Sequence, residues 1–113
     1  MKIEKFHIYL ADLNPRLGTK SEKVRPVVVI QTDLLNNVHP STVVCPLTSN
    51  LVKDVTVLRI HLQKRESGLE KDSDILVDQI RAIDNRRFKK PAGKLASPHR
   101  ERLLENLKVL LLE

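Results

Sequence analysis

The chain has 113 residues, of which 41% are hydrophobic and 30% charged, and a formal net charge of +6. This length supports one hydrophobic core and is too short for two, so we expect a single domain over residues 1–113. No apolar run approaches about 18 residues, and no signal-peptide segment follows Met1, which predicts a cytoplasmic protein. The positive charge predicts a polyanionic partner, either a nucleic acid or an acidic protein segment.

Aromatic residues are scarce in this sequence. Phe6, Tyr9 and Phe88 are the only three, and tryptophan is absent. Proteins that bind single-stranded nucleic acids by base stacking need several aromatic side chains on one surface. Binding of a polyanion to this chain is therefore expected to depend on charge and hydrogen bonds.

The first half of the chain alternates between apolar runs and turn residues. Residues 8–13 predict a first strand, and residues 26–30 predict a second strand that is buried on both faces. A short helical turn is expected at residues 33–35. Residues 42–47 predict a third strand, in which Pro46 favours a sheet edge or a bulge.

The second half predicts further strands and one closing helix. Residues 55–62 alternate in polarity, but the apolar phase slips by one position before Leu58, which predicts a bulge or a strand covered on both sides. Residues 74–80 predict a buried strand. Ser97-Pro98 predicts the start of a helix, and five leucines then recur at helical spacing, more typical of core than of an interface: Leu103, Leu104, Leu107, Leu110 and Leu111. The pattern predicts an α+β domain, mostly β: a small antiparallel β-barrel with a C-terminal helix.

The motifs of common hydrolases and nucleotide-binding proteins are absent. The sequence contains no GxSxG, Walker or GxGxxG motif. The four histidines have no HExxH or CxxC partner spacing, so neither a metal site nor a cofactor is expected. Cys45 is the only cysteine, and its apolar neighbours predict a buried thiol, with a nucleophile as the less favoured alternative.

Polar residues occur instead at the predicted strand boundaries. Arg25 begins the second strand, Thr48 follows the third, and Asp78 closes a later one. Singly, each has a structural interpretation as a surface arginine, a turn hydroxyl or a capping carboxylate. Together they suit RNA cleavage by the ribose 2′-OH, because the substrate supplies the nucleophile and the protein supplies only proton transfer and donors to phosphate. A guanidinium matches two phosphate oxygens at once.

Short blocks along residues 8–112 resemble one protein family in order and spacing. They are residues 11–15 with Gly18, 24–31 (VRPVVVIQ), 45–49 (CPLTS), Gly68-Leu69 with Asp72-Ser73, and 78–84 (DQIRAID). Each block is short, but the ordered set is specific. The sequence resembles the MazF/PemK-type toxins of bacterial toxin–antitoxin pairs.

The resemblance implies a fold, an activity and partners. It implies a homodimeric SH3-like barrel of the PemK/CcdB-like toxin fold that cleaves single-stranded RNA such as mRNA at a short sequence. The expected products are 2′,3′-cyclic phosphate and 5′-OH ends, formed without a metal or cofactor. It also implies a cognate antitoxin with an acidic tail that blocks the site.

The family's functional positions fall on particular residues of this chain. Its catalytic arginine and hydroxyl correspond to Arg25 and Thr48, and Asp78 matches a position linked to substrate handling or base chemistry. The expected RNA-binding residues are Thr19, Lys20, Ser49, Gln79 and Arg81. For Asp78 and Arg81, three residues apart, an ion pair is favoured over joint contact with a phosphate.

The chain departs from the family pattern at two places. Phe6-His7 stands where members usually carry Gly-Asp or Gly-Glu, and Thr19-Lys20-Ser21 stands where Ser-Glu-Gln is common. Lys20 therefore occupies the position of the glutamate that accepts a proton in some members. The general base and the recognised RNA sequence do not follow from the resemblance.

Residues 81–94 carry six basic side chains against one carboxylate. From this patch, Arg86, Arg87, Lys89 and Lys90 are expected to dock the acidic antitoxin tail or to steer RNA. Two alternatives remain open at the level of sequence. One is a non-catalytic binding protein on the same barrel, like the gyrase-poisoning toxins, and the other is a basic nucleic-acid-binding module.

Overall fold

Seven strands and two α-helices appear in this computed structural model, which describes residues 1–14 and 23–113. The strands are β1 (His7–Asp12), β2 (Val24–Val29), β3 (Ser41–Thr48), β4 (Arg59–Leu62), β5 (Ser73–Leu76), β6 (Arg81–Asp84) and β7 (Phe88–Lys94). The helices are α1 (Lys64–Ser67) and α2 (Ser97–Leu112). Single 3₁₀ turns span Val77–Gln79 and Asn85–Arg87.

All strand pairs in the described part are antiparallel. The strands lie in the order β4-β5-β3-β2-β1-β7, and β6 also pairs with β3. The predicted α+β class, the antiparallel sheet and the C-terminal helix are confirmed. None of the described helices is long and apolar enough to cross a membrane.

Strand β3 is central, so the expectation of a sheet edge at Pro46 is wrong. Pro46 pairs with Val27 of β2 on one side of the strand. On the other side β3 changes partner, from β6 at Val44 to β5 at Leu47. Pro46 falls in this break between two ladders, where a residue without an N–H is tolerated.

The phase slip before Leu58 marks the start of a strand rather than a bulge. Leu58 has a φ of 60°, and β4 begins at Arg59. A left-handed backbone is unusual for leucine. It is held here because the Leu58 N–H donates to Oδ1 of Asn106 on α2 at 2.9 Å. The short helical turn expected at residues 33–35 is present, because the backbone N–H groups of Leu35 and Asn36 both donate to the Thr32 carbonyl oxygen.

The strand predicted at residues 74–80 is interrupted. Strand β5 ends at Leu76, the chain makes a 3₁₀ turn, and β6 begins at Arg81. The patch at residues 81–94, for which no strand was predicted, folds into β6 and β7. Apolar periodicity is weak there because Arg81 and Ala82 of β6 are exposed and three of the seven residues of β7 are lysines.

Buried side chains pack on both faces of the sheet. One cluster contains Ile8, Val28, Cys45, Leu47, Ile60, Leu62, Ile75, Val77, Leu95 and Leu103, and the other contains Ile3, Tyr9, Ala11, Val27, Val29, Val44, Ile83 and Phe88. Helix α2 covers the first cluster through Leu103, with Leu107 and Leu110 packed beside it. Leu104 and Leu111 are exposed, so only part of the predicted leucine face belongs to the core.

Candidate functional site

An open cavity of about 670 Å³ is formed by β2, the end of β3, the turn after α1, and β7. Its described lining includes Arg25 of β2, Thr48 of β3, Glu70 and Lys71 of the turn, and Lys90 of β7. Ser49, predicted to contact RNA, also lines it. The structure therefore brings Arg25 and Thr48 to one solvent-accessible surface.

The strand register places Arg25 beside Thr48. Val27 lies opposite Pro46 in the β2–β3 pair, and continuing this register by two residues puts Arg25 opposite Thr48. Residues directly opposite on antiparallel strands direct their side chains to the same face. Arg25 is half-buried and has no ion-pair or hydrogen-bond partner among the described residues. Its guanidinium is therefore available to a ligand in the cavity.

The Thr48 hydroxyl has a defined role in its own turn. Its Oγ1 accepts a hydrogen bond from the backbone N–H of Asn50 at 3.1 Å. A hydroxyl that accepts a bond in this way keeps its hydrogen to donate elsewhere. Thr48 thus offers a donor at the edge of the cavity.

The charges around the cavity favour an anion. Arg25, Lys71 and Lys90 contribute three cationic groups, and Glu70 is the only carboxylate among the described lining residues. Such a distribution attracts a phosphate while keeping one candidate proton acceptor nearby.

Sequence reasoning missed Glu70 and Lys71. They lie in the connection between two of the blocks that carried the resemblance, in a segment without apolar periodicity. The signal that could have identified them is their position between Gly68-Leu69 and Asp72-Ser73.

Two glycines bring the turn after α1 against β7. Gly68 ends α1 with a φ of +83°, a conformation that L side chains rarely adopt. Gly93 lies so close to α1 that an added Cβ would stand 2.0 Å from the Ser67 carbonyl oxygen. This close approach places Glu70 and Lys71 near Lys90 on the same cavity wall.

The residues predicted from the second polar segment lie elsewhere. Asp78 and Gln79 are exposed on the 3₁₀ turn, Arg81 is exposed at the start of β6, and none of them lines the cavity. The expected ion pair is wrong, because none joins Asp78 to Arg81 among the described residues. Asp78 lies within the 3₁₀ turn, which ends at Gln79, whereas Arg81 begins β6, so the two residues belong to different elements.

The predicted basic patch is divided. Arg86 forms an ion pair with Asp84, with Nε–Oδ1 and Nη2–Oδ2 distances of 3.0 and 2.9 Å. Hydrogen bonds from Arg86 hold the pKa of Asp84 at about 2. Arg87 donates through Nη1 to the backbone carbonyls of Asp12 and Asn14. Lys90 lines the cavity, whereas the exposed Lys89 is not part of its lining.

Two further predictions concern metals and the thiol. In the described ranges, 1–14 and 23–113, no group of three or more His, Cys, Asp or Glu is placed to hold a metal ion. Cys45 is fully buried, as predicted, and burial, with the negative charge of Asp78, raises its pKa to about 12. The predicted RNA contacts Thr19 and Lys20 belong to residues 15–22, outside the described residues.

Comparison with known proteins identifies related folds. The Mycobacterium tuberculosis toxin MazF-mt6 superposes with a TM-score of 0.76 at 18% identity, covering 91% of this chain and 93% of that chain. MazF from Deinococcus radiodurans gives 0.78 at 20%, covering 98% and 97%. The MazE-MazF structure (Form-II) from the same organism gives 0.79 at 18%, covering 99% and 97%. At these identities the similarity establishes the fold.

The family assignment comes from the sequence itself. The model of the PemK-like, MazF-like toxins of type II toxin–antitoxin systems matches residues 4–111. This range includes every strand and most of α2, and the resemblance carried by the short blocks is confirmed. The chain belongs to the family of PemK-like, MazF-like toxins of type II toxin–antitoxin systems.

Proposed function

We propose that this chain is a sequence-specific endoribonuclease that cleaves single-stranded RNA, including mRNA, without a metal or cofactor. The 2′-OH attacks the adjacent phosphorus, and the products carry 2′,3′-cyclic phosphate and 5′-OH ends. The observation that supports this best is the placement of Arg25 and Thr48 on one open cavity with a cationic rim. Membership of the toxin family supports the same activity.

Arg25 and Thr48 act on the phosphate in this mechanism. The guanidinium binds two non-bridging oxygens and stabilises the charge that develops as the 2′-oxygen bonds to phosphorus. The Thr48 hydroxyl donates its free hydrogen to the same phosphate. Because both donors are held on neighbouring strands, they need little rearrangement when the transition state forms.

Glu70 is the proton acceptor in this proposal. It is the carboxylate that lines the cavity in the described part of the chain, whereas Asp78 lies outside the lining. Glu70 takes the proton of the attacking 2′-OH. The bond from phosphorus to the 5′-oxygen then breaks, and that oxygen takes a proton from water in the open cavity.

We further propose that a cognate antitoxin with an acidic tail regulates the chain. Similar structures include a Deinococcus radiodurans MazE-MazF complex and a mycobacterial endoribonuclease in complex with its cognate antitoxin. A net charge of +6, with Lys71 and Lys90 on the cavity rim, favours an acidic segment that competes with RNA. A cytoplasmic homodimer is the form proposed for the protein.

The test is cleavage of a long mixed-sequence RNA in excess chelator. Primer extension should give a small set of cut sites that share a short sequence, and the 5′ products should carry cyclic phosphate. Arg25→Ala and Thr48→Ala proteins, purified in parallel, control for contaminating ribonuclease. Intact RNA with the unmodified protein would contradict the proposal and favour a non-catalytic toxin. Cleavage by both variants at the rate of the unmodified protein would contradict it as well.

A further inference from the structure

A buried carboxylate lies beside Thr48, on the neighbouring strand β5. Asp74 of β5 is the register partner of Thr48 on β3, and its side chain is only 6% exposed. Its Oδ2 accepts a hydrogen bond from Nε of Arg59 at 3.1 Å, and Nη2 of Arg59 lies 3.1 Å from the same oxygen in an ion pair. Its Oδ1 lies 3.0 Å from Nδ1 of His61. A buried carboxylate is tolerated because both of its oxygens have partners.

Arg59 also reaches the turn that carries Thr48. Its Nη2 donates to the Asn50 carbonyl oxygen at 3.0 Å. The N–H of Asn50 in turn donates to the Thr48 hydroxyl oxygen at 3.1 Å. A continuous series of contacts therefore runs from Asp74 through Arg59 and Asn50 to the hydroxyl.

The turn depends on this series because its own surroundings are open. Ser49 and Asn50 are exposed, whereas the Arg59 side chain is only 17% exposed and is held by a hydrogen bond and an ion pair to Asp74. Arg59 thus provides an anchored donor to the Asn50 carbonyl, and it restrains the Asn50 N–H through the Cα atom that joins the two peptide units. The orientation of the Asn50 N–H decides which lone pair of Thr48 is occupied, and so where its hydrogen can point.

We propose that Arg59 and Asp74 are positioning residues that orient the Thr48 hydroxyl toward the scissile phosphate. This inference rests on the proposed function, because it concerns the geometry of one of its two phosphate donors. Neither residue lines the cavity. Their effect on cleavage passes through Asn50 and Thr48.

His61 provides a matched control within the same cluster. It contacts the other oxygen of Asp74, is 49% exposed, and makes no contact with Asn50. Removing it deletes a partner of the buried carboxylate but leaves the path to Thr48 complete. A merely structural role of the cluster would make the Arg59 and His61 variants behave alike.

The experiment measures kcat and KM for Arg59→Gln, Asp74→Asn and His61→Ala on a short RNA that contains a mapped cut site. We expect kcat to fall about 10- to 100-fold in the first two variants with KM within about threefold, because small displacements of a reacting group have effects of this size. His61→Ala should stay within about threefold. Arg59→Lys should be intermediate, since an ammonium cannot contact both acceptors, Asp74 Oδ2 and the Asn50 carbonyl oxygen, as the planar guanidinium does.

A double-mutant cycle separates positioning from general damage. Arg59→Gln should cause no further loss in a Thr48→Ala background, whereas its effect should persist in an Arg25→Ala background. Wild-type kcat in Arg59→Gln and Asp74→Asn, or an undiminished effect of Arg59→Gln in the Thr48→Ala protein, would overturn the inference. If Thr48→Ala is impaired while Arg59→Gln is not, only the inference fails and the proposed function stands.

A readout without RNA makes the inference testable apart from activity. In ¹H–¹⁵N spectra the Asn50 amide resonance should shift in Arg59→Gln and Asp74→Asn but not in His61→Ala. If Arg59→Gln does not fold, Asp74→Asn gives the same comparison. An unmoved Asn50 amide in a folded Arg59→Gln or Asp74→Asn protein would contradict the proposed path whether or not the chain cleaves RNA.

Discussion

Two regions of this molecule contain the same kinds of polar side chain but use them differently. On the cavity wall, Arg25 and Lys90 face open space without an ion-pair partner in the described chain. In the polar segment at residues 78–87, Arg86 is paired with Asp84, and Arg87 is bound to the backbone at the end of β1. A guanidinium that is already bound has fewer N–H donors left for a phosphate, and the Asp84 carboxylate opposes a second anion beside Arg86.

The backbone explains this difference. The wall is built from neighbouring strands and a turn that meet at one cavity, so their side chains converge on an external ligand. The polar segment contains two 3₁₀ turns, which bring side chains back onto nearby groups, as when Asp84 accepts from the Arg86 N–H at 2.8 Å. From the sequence alone, both regions looked suited to phosphate binding.

Replacement of one arginine from each region, Arg25 and Arg86, should give the largest difference in cleavage rate. Arg25→Ala is expected to lower the cleavage rate about 10²–10³-fold, the usual effect of removing one donor to a developing charge. Arg86→Ala should change the rate less than about threefold, because its guanidinium is directed at Asp84. Cleavage is measured on one mapped substrate. Arg25→Ala should keep its stability within about 1 kcal/mol, and Arg86→Ala should unfold at nearly the same temperature as the unmodified protein. Equal cleavage rates in the two variants would refute the proposed difference between the cavity wall and the polar segment.

The two carboxylates give the next largest contrast. Glu70→Gln should lower kcat by about 10²-fold if Glu70 accepts the 2′-OH proton, while KM changes little because the glutamine keeps the shape of the side chain. Asp78→Asn should leave kcat within about threefold, since Asp78 does not line the cavity. Single-turnover rates on the same RNA provide the measurement. The reverse ranking would favour Asp78 as the base, in agreement with the resemblance, which links its position to substrate handling or base chemistry.

Substitutions of the adjacent lysines of β7, Lys89 and Lys90, should differ in RNA affinity by a smaller factor. Lys90 lines the cavity and Lys89 does not. Lys90→Glu should weaken RNA binding about tenfold and lower the slope of log Kd against log salt by about one, because one phosphate contact is lost. Lys89→Glu should weaken it no more than about threefold. Affinities are measured in a Thr48→Ala background to limit cleavage. Equal affinities of the two variants would show that lining the cavity does not determine which lysine contacts RNA.

Part of this arrangement followed from the sequence because it is local. Arg25 before Pro26 and Thr48 after an apolar run stand at strand boundaries that β-branched residues define, so their predicted strands ended close to the observed bounds. The pairing that brings them together depends on register across β2 and β3, which the resemblance implied but no single segment encodes. Glu70 enters the cavity only through the approach of α1 to β7 at Gly93, a contact between distant segments.

The Arg59–Asp74 cluster could not be predicted for a related reason. Its residues belong to β4 and β5, and the sequence near Arg59 suggested a bulge where the strand begins. An arginine, a histidine and an aspartate at alternate strand positions look like the solvent face of a sheet. The structure buries the aspartate instead, because β5 lies between β3 and β4.

The smallest expected effect concerns the thiol beneath the polar segment. Cys45 is fully buried, with its Sγ 3.9 Å from the Val77 carbonyl oxygen, and burial raises its pKa from 9.0 to about 12. The unfolded chain therefore releases this proton at a lower pH than the folded chain does. The contribution of the protonated Cys45 thiol to the stability of the folded chain is complete below pH 9 and decreases as the pH rises toward 12.

Urea unfolding can measure this contribution of the Cys45 thiol. The unmodified protein and Cys45→Ala are compared between neutral pH and the highest pH at which both fold. The free energy of unfolding should fall more steeply with pH in the unmodified protein. Tyr9, whose pKa burial also raises, is present in both proteins, so the difference between the two slopes isolates the thiol. Asp78→Asn should reduce that difference slightly, because the Asp78 charge adds to the shift. Equal slopes of the free energy of unfolding against pH in the two proteins, or rapid alkylation of Cys45 in the folded protein, would mean that the polar segment opens readily. Its side chains would then be as available to RNA as those of the cavity wall.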